Sequence, residues 1–465
     1  MINLFSHYIP RKSLLLAAME AAVLLIAAQI GMSLELAGSH TAIAEGGIAV
    51  LREASAFALG MIVIMSSMGL YQADLRSNVH SVSLRVVTAF AAVFAIVGLM
   101  AYLMPSRYPG LVALGATTMT LALTGSLCVR AAFHRWQNLT AFKSRVLVLG
   151  TGSRVTQLAE YAQGNPNHQV VGYIATRPGT HYVPSSLVLH TTPADSLLSV
   201  AERHAVDQIV VGVRDRRSGG LPLQELLECR MKGIQVVELP TFFEREYRQV
   251  MLESLNPSWM VLGDGFRQGF FRDVAKRLFD LAVSSVLLAL CLPLVLLAVI
   301  CVYLETGLPV LYPQERVGRG GRVFTLYKLR SMRQDAESSG TAQWAAVDDD
   351  RTTRVGRFLR KSRIDELPQI FNVLTGEMSL VGPRPERPVF VDQLGKQIPF
   401  YALRHSVKPG ITGWAQVRYS YGASVDDAVE KLQHDLYYVK NNSLFLDLMI
   451  MIATVEVVLW GRGAR

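Results

Sequence analysis

The sequence predicts three parts in series: a membrane α-helical bundle of four spans, an α/β domain built on a parallel sheet, and a mixed α/β domain that carries a re-entrant membrane helix. Three observations predict it. Residues 1–135 hold four apolar stretches, residues 144–265 alternate short apolar runs with helical patterns, and residues 278–304 form a further apolar stretch with basic residues at both ends. Composition agrees. The 465 residues are 51% apolar and 18% charged, against roughly 25% charged for a soluble protein. That length suffices for about two or three domains with their own cores.

The four stretches run over residues 14–34, 56–71, 86–104 and 111–133. Each lies near the roughly 20 residues that a helix needs to cross a bilayer, the second being the shortest. The first lacks a small-residue cleavage site and is followed by others, so it reads as a retained span. Arg11 and Lys12 precede it, Arg76 and Arg85 stand between the second and third, and Arg130, Arg135, Lys143 and Arg145 mark the end of the fourth. The loop after the first carries Glu35, Glu45, Arg52 and Glu53. Basic loops stay inside, which puts the N-terminus and everything after residue 135 in the cytoplasm. The net charge of +9 then serves attraction to anionic lipid or phosphate-bearing substrates. Nucleic acid is not a predicted partner, because no basic, aromatic-interleaved motif is present. Cys128, Cys229, Cys291 and Cys301 form no CxxC pair, so neither a zinc site nor a disulfide framework is indicated.

In residues 144–265, Arg145-Val146-Leu147-Val148-Leu149 reads as a buried strand, with further strands at 170–174, 208–213 and 234–239. Strands alternating with helices argue a parallel, Rossmann-like sheet. Gly150-Thr151-Gly152 follows the first strand, but Val155 occupies the third glycine position and Ala175-Thr176-Arg177 stands where an acid would close the second strand. Arg177 suits a phosphate. The domain reads as a scaffold or regulatory module with a tight turn.

Residues 278–304 are long enough to span and contain Pro293, which kinks or breaks a helix. Lys276 and Arg277 precede them, and Arg316, Arg319, Arg322, Lys328 and Arg330 follow. Both ends belong on the basic, cytoplasmic side. A helix that enters, bends at Pro293 and returns satisfies both flanks. The rest, within residues 272–465, is a compact mixed domain. Its last apolar stretch, 444–460, is broken by Asp447, Thr454 and Glu456 and reads as an interfacial or core helix, not a fifth span.

The chemistry concentrates in Ile364-Asp365-Glu366-Leu367-Pro368-Gln369 and in Ser379-Leu380-Val381-Gly382-Pro383-Arg384-Pro385. Pro368 is tolerated in a first helical turn, so a helix is expected to start near Asp365, where amides and dipole attract phosphate. Adjacent helical residues point about 100° apart, so the two acids suit divided roles: one attacks or positions, the other binds a metal. A carboxylate meeting a diphosphate feels strong repulsion, about 4 kcal/mol per pair of unit charges at 4 Å and an effective dielectric near 20. The site therefore needs cations. Arg384, Lys328 and Arg330 are candidates, and Mg²⁺ is the expected metal, since it binds through one or two carboxylates plus substrate phosphates. Lys408-Pro409-Gly410-Ile411-Thr412-Gly413 reads as a tight turn, with Trp414 in the core.

In order, Lys276 to Asp280, Gln314 to Gly318, Tyr327 to Met332, Asp365 to Gln369, Met378 to Pro385 and Lys408 to Val417 resemble the motif series of the bacterial sugar transferases. These are monotopic-type phosphoglycosyl transferases that load a sugar phosphate onto polyprenyl phosphate. The match covers about residues 272–465. The spans and the Rossmann-like domain resemble the large, membrane-extended members that initiate exopolysaccharide or O-antigen, and residues 419–424 and 461–465 are similar to the branch associated with PEP-CTERM systems. The resemblance implies a double displacement: Asp365 attacks the β-phosphate of a UDP-sugar, UMP leaves, and polyprenyl phosphate takes the phosphosugar. It implies Mg²⁺ on Glu366 beside Asp365, phosphates on Arg384, and Lys328, Arg330, Arg316, Gln314 and Lys408 lining or supporting the site. It also implies a homodimer in the bacterial inner membrane, multi-pass, with catalysis at the cytoplasmic face of the lipid bilayer. Two positions depart from the pattern: Leu292 replaces a serine before the kink proline, and Arg418-Tyr419-Ser420 replaces Asn-Gly-Arg. Two rival readings remain. A nucleotide-sugar epimerase or dehydratase in residues 144–265 lacks a full fingerprint and a Tyr-x-x-x-Lys pair. A non-catalytic assembly protein sits badly with an intact Asp365-Glu366 and Arg384.

Overall fold

The structure, a computed structural model, describes residues 2–4, 7–9, 11–38, 46–71, 79–103, 111–137, 143–162, 168–176, 182–189, 195–213, 221–255, 269–333, 351–419, 422 and 424–460. Arg76 and Arg177 lie outside them, as do Ser420 and residues 461–465. The chain forms two compact units, Met1–Leu127 with Leu262–Arg465, and Cys128–Val261.

All four N-terminal stretches are helices: Arg11–Gly38, Gly46–Ser67, Val79–Leu103 and Leu111–Gln137. The second starts earlier than the apolar pattern indicated, because Arg52 and Glu53 interrupt hydropathy without breaking a helix. Ala58, Met61 and Met65 meet Val86, Ala89, Phe90 and Val93 at helical spacing, with Leu24, Ala27, Met119 and Ala122 completing the cluster. Alanines at the crossings let backbones approach closely. Ile26, Leu59, Val63 and Phe94 point outward and are exposed, so these helices are apolar on the outer face too, as lipid-facing helices are. Among the described residues, two helices are long and apolar enough to cross a membrane, Lys12–Gly31 and Phe270–Thr306.

The Cys128–Val261 unit holds a five-stranded parallel sheet. Its spatial order is Val188–Leu189, His168–Ile174, Ser144–Leu149, Gln208–Val211, Gln235–Glu238. Side chains alternate across a strand. Val146, Val148 and Val210 therefore pack on one face with Val155, Leu158, Phe242 and Phe243. Leu147, Leu149, Ile209 and Val211 pack on the other with Leu197, Val200, Leu226 and Cys229. Covering helices on both faces explain the near-continuous apolar runs. The edge strand Val188–Leu189, two residues long, is too short to leave a periodic signal.

The strand order reverses beside Ser144–Leu149, where a Rossmann-type sheet opens to a ligand. Gly150 does take the left-handed turn, with φ +120. But Val155 is fully buried there, its Cγ2 only 2.5 Å from where a Cβ on Gly212 would stand. The Tyr182 amide donates to the Thr151 carbonyl at 3.0 Å. Val155 thus fills the third glycine position of the turn, while a Cβ on Gly152 would meet nothing within 4 Å.

The long helix Phe270–Thr306 runs 37 residues through Pro293. Both ends are fastened to the same unit. Near the start, Lys276 pairs with Asp447 at 2.6 Å, Arg277 donates to the Val373 and Leu374 carbonyls, and Asp280 accepts from the Ser379 hydroxyl and the Leu380 amide. At the far end, Ala298 and Val302 pack on Leu329 and Leu359. Glu305 there accepts from the Arg354 and Val355 amides, at 2.8 and 3.1 Å, capping the helix Arg354–Lys361. Between these anchors Val286, Leu290, Leu292, Leu294, Leu296 and Leu297 are exposed.

The remaining elements frame a cavity. Leu311–Val317 and Val323–Leu329 pair antiparallel, with Tyr312 opposite Lys328. Period two puts Tyr312, Gln314, Arg316 and Lys328 on one face. Ser379–Val381 pairs parallel with Gly410–Thr412. Here three glycines let backbones touch: a Cβ on Gly382 would meet the Lys408 carbonyl at 2.3 Å, one on Gly410 the Gly382 amide at 2.0 Å, and one on Gly413 the Gly382 carbonyl at 2.2 Å. Trp414 is buried against Tyr437, as the core reading of that turn expected. Leu444–Trp460 is a helix with Leu446, Ile450 and both acids, Asp447 and Glu456, buried.

Candidate active site

Asp365 and Glu366 sit in a short 3₁₀ turn, Ile364–Glu366, not in the α-helix expected to start there. The helix begins later, at Gln369, with Pro368 as its N-cap. Arg363 just before the turn has left-handed backbone, φ 56, an uncommon conformation for a residue with a side chain. That bend aims both carboxyls into one cavity of about 680 Å³, where they are only 7% and 8% exposed.

The two acids have different surroundings. Arg384 Nη2 and Lys328 Nζ both donate to Glu366 Oε1, at 2.7 and 3.2 Å, and Arg363 Nη1 stands 3.5 Å from Oε2. These cations outweigh burial and hold the Glu366 carboxyl well below the usual carboxylate range. Among the described residues, Asp365 accepts no hydrogen bond and forms no ion pair. Burial, reinforced by the Glu366 charge, pushes its carboxyl up to about 6. One carboxylate is a fixed anion that orders cations, and its neighbour is bare and more basic.

The cavity is strongly positive, lined by eleven arginine or lysine side chains against the four carboxylates of Asp365, Glu366, Glu386 and Asp435. Burial lowers both Lys328 and Arg316, the latter to about 10. Arg316 donates to Gln314 Oε1 and to the Pro385 carbonyl, which fixes the loop carrying Arg384. Arg330 lines the cavity and has a buried Nη1 with no partner among the described residues. Such an excess of desolvated cations is complementary to a ligand with several phosphate charges.

Gln314, Arg316, Lys328, Arg330, Asp365, Glu366 and Arg384 are thus brought together around one cavity. Lys408 is not. Its amine lies by Gly376, where burial and the Arg277 charge lower it, and its carbonyl packs on Gly382. Pro293 lies in the exposed middle of the long helix, away from the cavity lining. Sequence reasoning missed Arg404 and Asp435. Arg404 donates to the backbone carbonyl of Arg384 at 3.0 Å, to Asp435 at 2.8 Å and to the Tyr401 hydroxyl at 2.7 Å. A signal existed: Asp435 falls at helical spacing among the buried Leu432, Leu436 and Tyr438, where an acid needs a partner.

Residues 271–461 match the bacterial sugar transferase family. Over 293 residues, 63% of this chain and 68% of the relative, the chain is 42% identical to UDP-N-acetylgalactosamine-undecaprenyl-phosphate N-acetylgalactosaminephosphotransferase of Aeromonas hydrophila. Over 332 residues, 69% of this chain and 67% of the relative, it is 34% identical to UDP-glucose:undecaprenyl-phosphate glucose-1-phosphate transferase of Xanthomonas campestris pv. campestris. A shorter relative, the uncharacterized sugar transferase EpsL of Bacillus subtilis (strain 168), is 44% identical over 192 residues, 41% of this chain but 91% of that protein. The motif series, its convergence on one cationic cavity and these similarities agree: the chain belongs to the bacterial sugar transferase family.

Proposed function

We propose that this chain transfers a sugar 1-phosphate from a UDP-sugar to undecaprenyl phosphate, releasing UMP, in two displacements at Asp365. The observation that carries the reading is the pairing of a bare Asp365 with a Glu366 held by three cations. In the first step an Asp365 oxygen attacks the β-phosphorus. The bond from that phosphorus to the bridging oxygen breaks, and UMP leaves with the electron pair. In the second, an oxygen of the lipid phosphate attacks the same phosphorus and Asp365 is released as carboxylate.

Arg384, Lys328 and Arg316 neutralise the phosphate oxygens, so that the anionic nucleophile and the diphosphate can approach. Glu366 keeps Arg384 and Lys328 in place between turnovers. The described residues hold no cluster of three or more metal-ligating side chains. Two adjacent carboxylates still fit Mg²⁺, which takes one or two from protein and completes its shell with water and phosphate oxygens. Asp365 and Glu366 would hold it, and it would add charge neutralisation at the diphosphate.

The long helix favours a re-entrant placement in the cytoplasmic leaflet. Both of its ends are tied to the unit that holds the cavity, while its apolar middle around Pro293 is exposed. A soluble donor and a lipid acceptor then reach Asp365 from either side of the interface. The N-terminal helices complete a multi-pass membrane protein. The Aeromonas hydrophila and Xanthomonas campestris relatives are named for different sugars, so donor choice belongs to the test.

Membranes containing the protein are given UDP-N-acetylgalactosamine, UDP-glucose and other UDP-sugars, with Mg²⁺ and undecaprenyl phosphate, and UMP is followed. We expect release with at least one donor and loss of about 10³-fold or more in Asp365→Asn, as for removal of a covalent nucleophile. Intact-protein mass spectrometry after donor alone should show a phosphosugar adduct. Undiminished turnover in Asp365→Asn would sink the assignment.

A further inference from the structure

The cavity accounts for one group of buried charges, but a second group lies outside it. Glu456, near the end of Leu444–Trp460, is buried and pairs with Arg85 of the helix Val79–Leu103 at 2.8 Å. Arg85 also donates to the Met68 carbonyl at 3.0 Å, at the end of the helix Gly46–Ser67. Gly69 completes the contact. Its φ is +72, and a Cβ there would stand 2.2 Å from Glu456 Oε2. The turn is thus cut to receive this carboxylate. Buried ion pairs in such a setting cost desolvation and are poor sources of net stability. Ionisable groups among lipid-facing helices point to function by default.

The other side of the same helix holds up the arginine loop. Thr454 Oγ1 lies 2.6 Å from Thr412 Oγ1, and the Thr412 carbonyl accepts from the Gly382 amide at 2.9 Å. Asp447 accepts from the Tyr438 hydroxyl at 2.7 Å and pairs with Lys276, and both of these partners also donate to the Val381 carbonyl. Val381 and Gly382 lead directly into Pro383 and Arg384, whose guanidinium rests on Glu366. The helix Leu444–Trp460 is therefore clamped at one end by the N-terminal helices and along its length by the strands that carry Arg384. The shorter Bacillus subtilis relative matches only 192 residues of this chain, so the transferase part occurs without a bundle of this length beside it.

We propose that Arg85 and Glu456 are positioning residues: through the helix Leu444–Trp460 the N-terminal bundle fixes where Arg384 stands over Glu366, and so sets the rate of phosphosugar transfer. This rests on the transferase reading above. The pair touches neither substrate nor cavity. Its loss should lower kcat and leave the donor KM unchanged, because the cavity keeps its other cations.

The test uses the full chain in membranes or detergent, with UMP release as readout and gel filtration plus thermal melting as the check on folding. Wild type comes first. If it releases no UMP with any donor, the transferase reading fails and this proposal falls with it, a result distinct from the variant outcomes below. With wild type active, Glu456→Gln and Arg85→Gln should each lower kcat about tenfold, and the exchange Arg85→Glu with Glu456→Arg should restore at least half of the loss on a logarithmic scale, as expected for directly coupled residues. Gly69→Ala, which crowds the carboxylate, should follow the single variants. Three results overturn the proposal: kcat within twofold of wild type in both single variants, a rise in KM without a fall in kcat, or single variants that lose the folded species, which would make the pair purely structural.

Discussion

The turn after the first strand of the Cys128–Val261 unit and the turn at Asp365 present opposite solutions to a phosphate-site pattern. The first has two of the glycines, but its third position is Val155, buried in the core, and the Tyr182 amide is bonded to the Thr151 carbonyl. The second has no glycine in the turn itself. It keeps a cavity of about 680 Å³ open and surrounds it with guanidinium and ammonium groups. The difference teaches that glycine spacing signals a bend, whereas a phosphate site requires cations that converge on an open cavity. The cavity holds its cations partly on one carboxylate, Glu366, and among the described residues leaves Arg330 Nη1 unpaired.

Four measurements break or sharpen that contrast. The largest effect belongs to the cavity. Arg384→Gln removes the shortest contact to Glu366 and should reduce UMP release about 10²–10³-fold, the scale for loss of a charge-stabilising donor, with little change in melting. A fall of less than tenfold would mean that Lys328 and Arg316 carry the phosphates. The sheet unit should behave the other way round. Phe243 is fully buried, so Phe243→Ala should cost that unit about 3–5 kcal/mol, read as an early melting transition. Equal loss of turnover and stability would show that the contrast is false.

The third effect is a pH limb. The Asp365 carboxyl is raised to about 6, so protonation removes the nucleophile as pH falls through that value. Turnover should be level above it and drop about tenfold per pH unit below it. A limb near the ordinary carboxylate value of about 4 would mean that Asp365 is neither desolvated nor pressed by Glu366. The smallest effect is expected at Gly152, where an added Cβ meets nothing within 4 Å. Gly152→Ala should leave UMP release within about twofold and stability within roughly 0.5 kcal/mol, as for open surface positions. A large loss of activity there would reopen the glycine turn as a ligand site.

Much of the fold was legible in the sequence. The long helix, the parallel strands and the motif series are local patterns, and each appears near its expected place. Lys328, Arg316 and Gln314 were legible as positions of the motif series, and the hairpin's period of two is what puts them on one face. Lys408 misled, because proximity in a motif does not say which side of a backbone a side chain takes. The packing of Gly382 against Lys408 and Gly410 turns that amine away from the cavity. The start of the helix at Asp365 misled for a related reason: Pro368 allowed a first-turn position, and the left-handed Arg363 made a 3₁₀ turn instead.

The sequence by itself determined the apolar segments, the alternating sheet, and the adjacency of Asp365 and Glu366. These follow from hydropathy period and chain neighbourhood, which are read along one dimension. Only the tertiary structure decided that the adjacent acids differ, one paired with cations and one bare. It alone decided that Arg404 reaches Asp435 and the Arg384 backbone, and that Glu456 finds Arg85 across 371 residues of chain. The physical reason is that an acid's charge state and role depend on burial and on whichever cations lie within a few ångströms. Those neighbours come from parts of the chain that no local pattern connects.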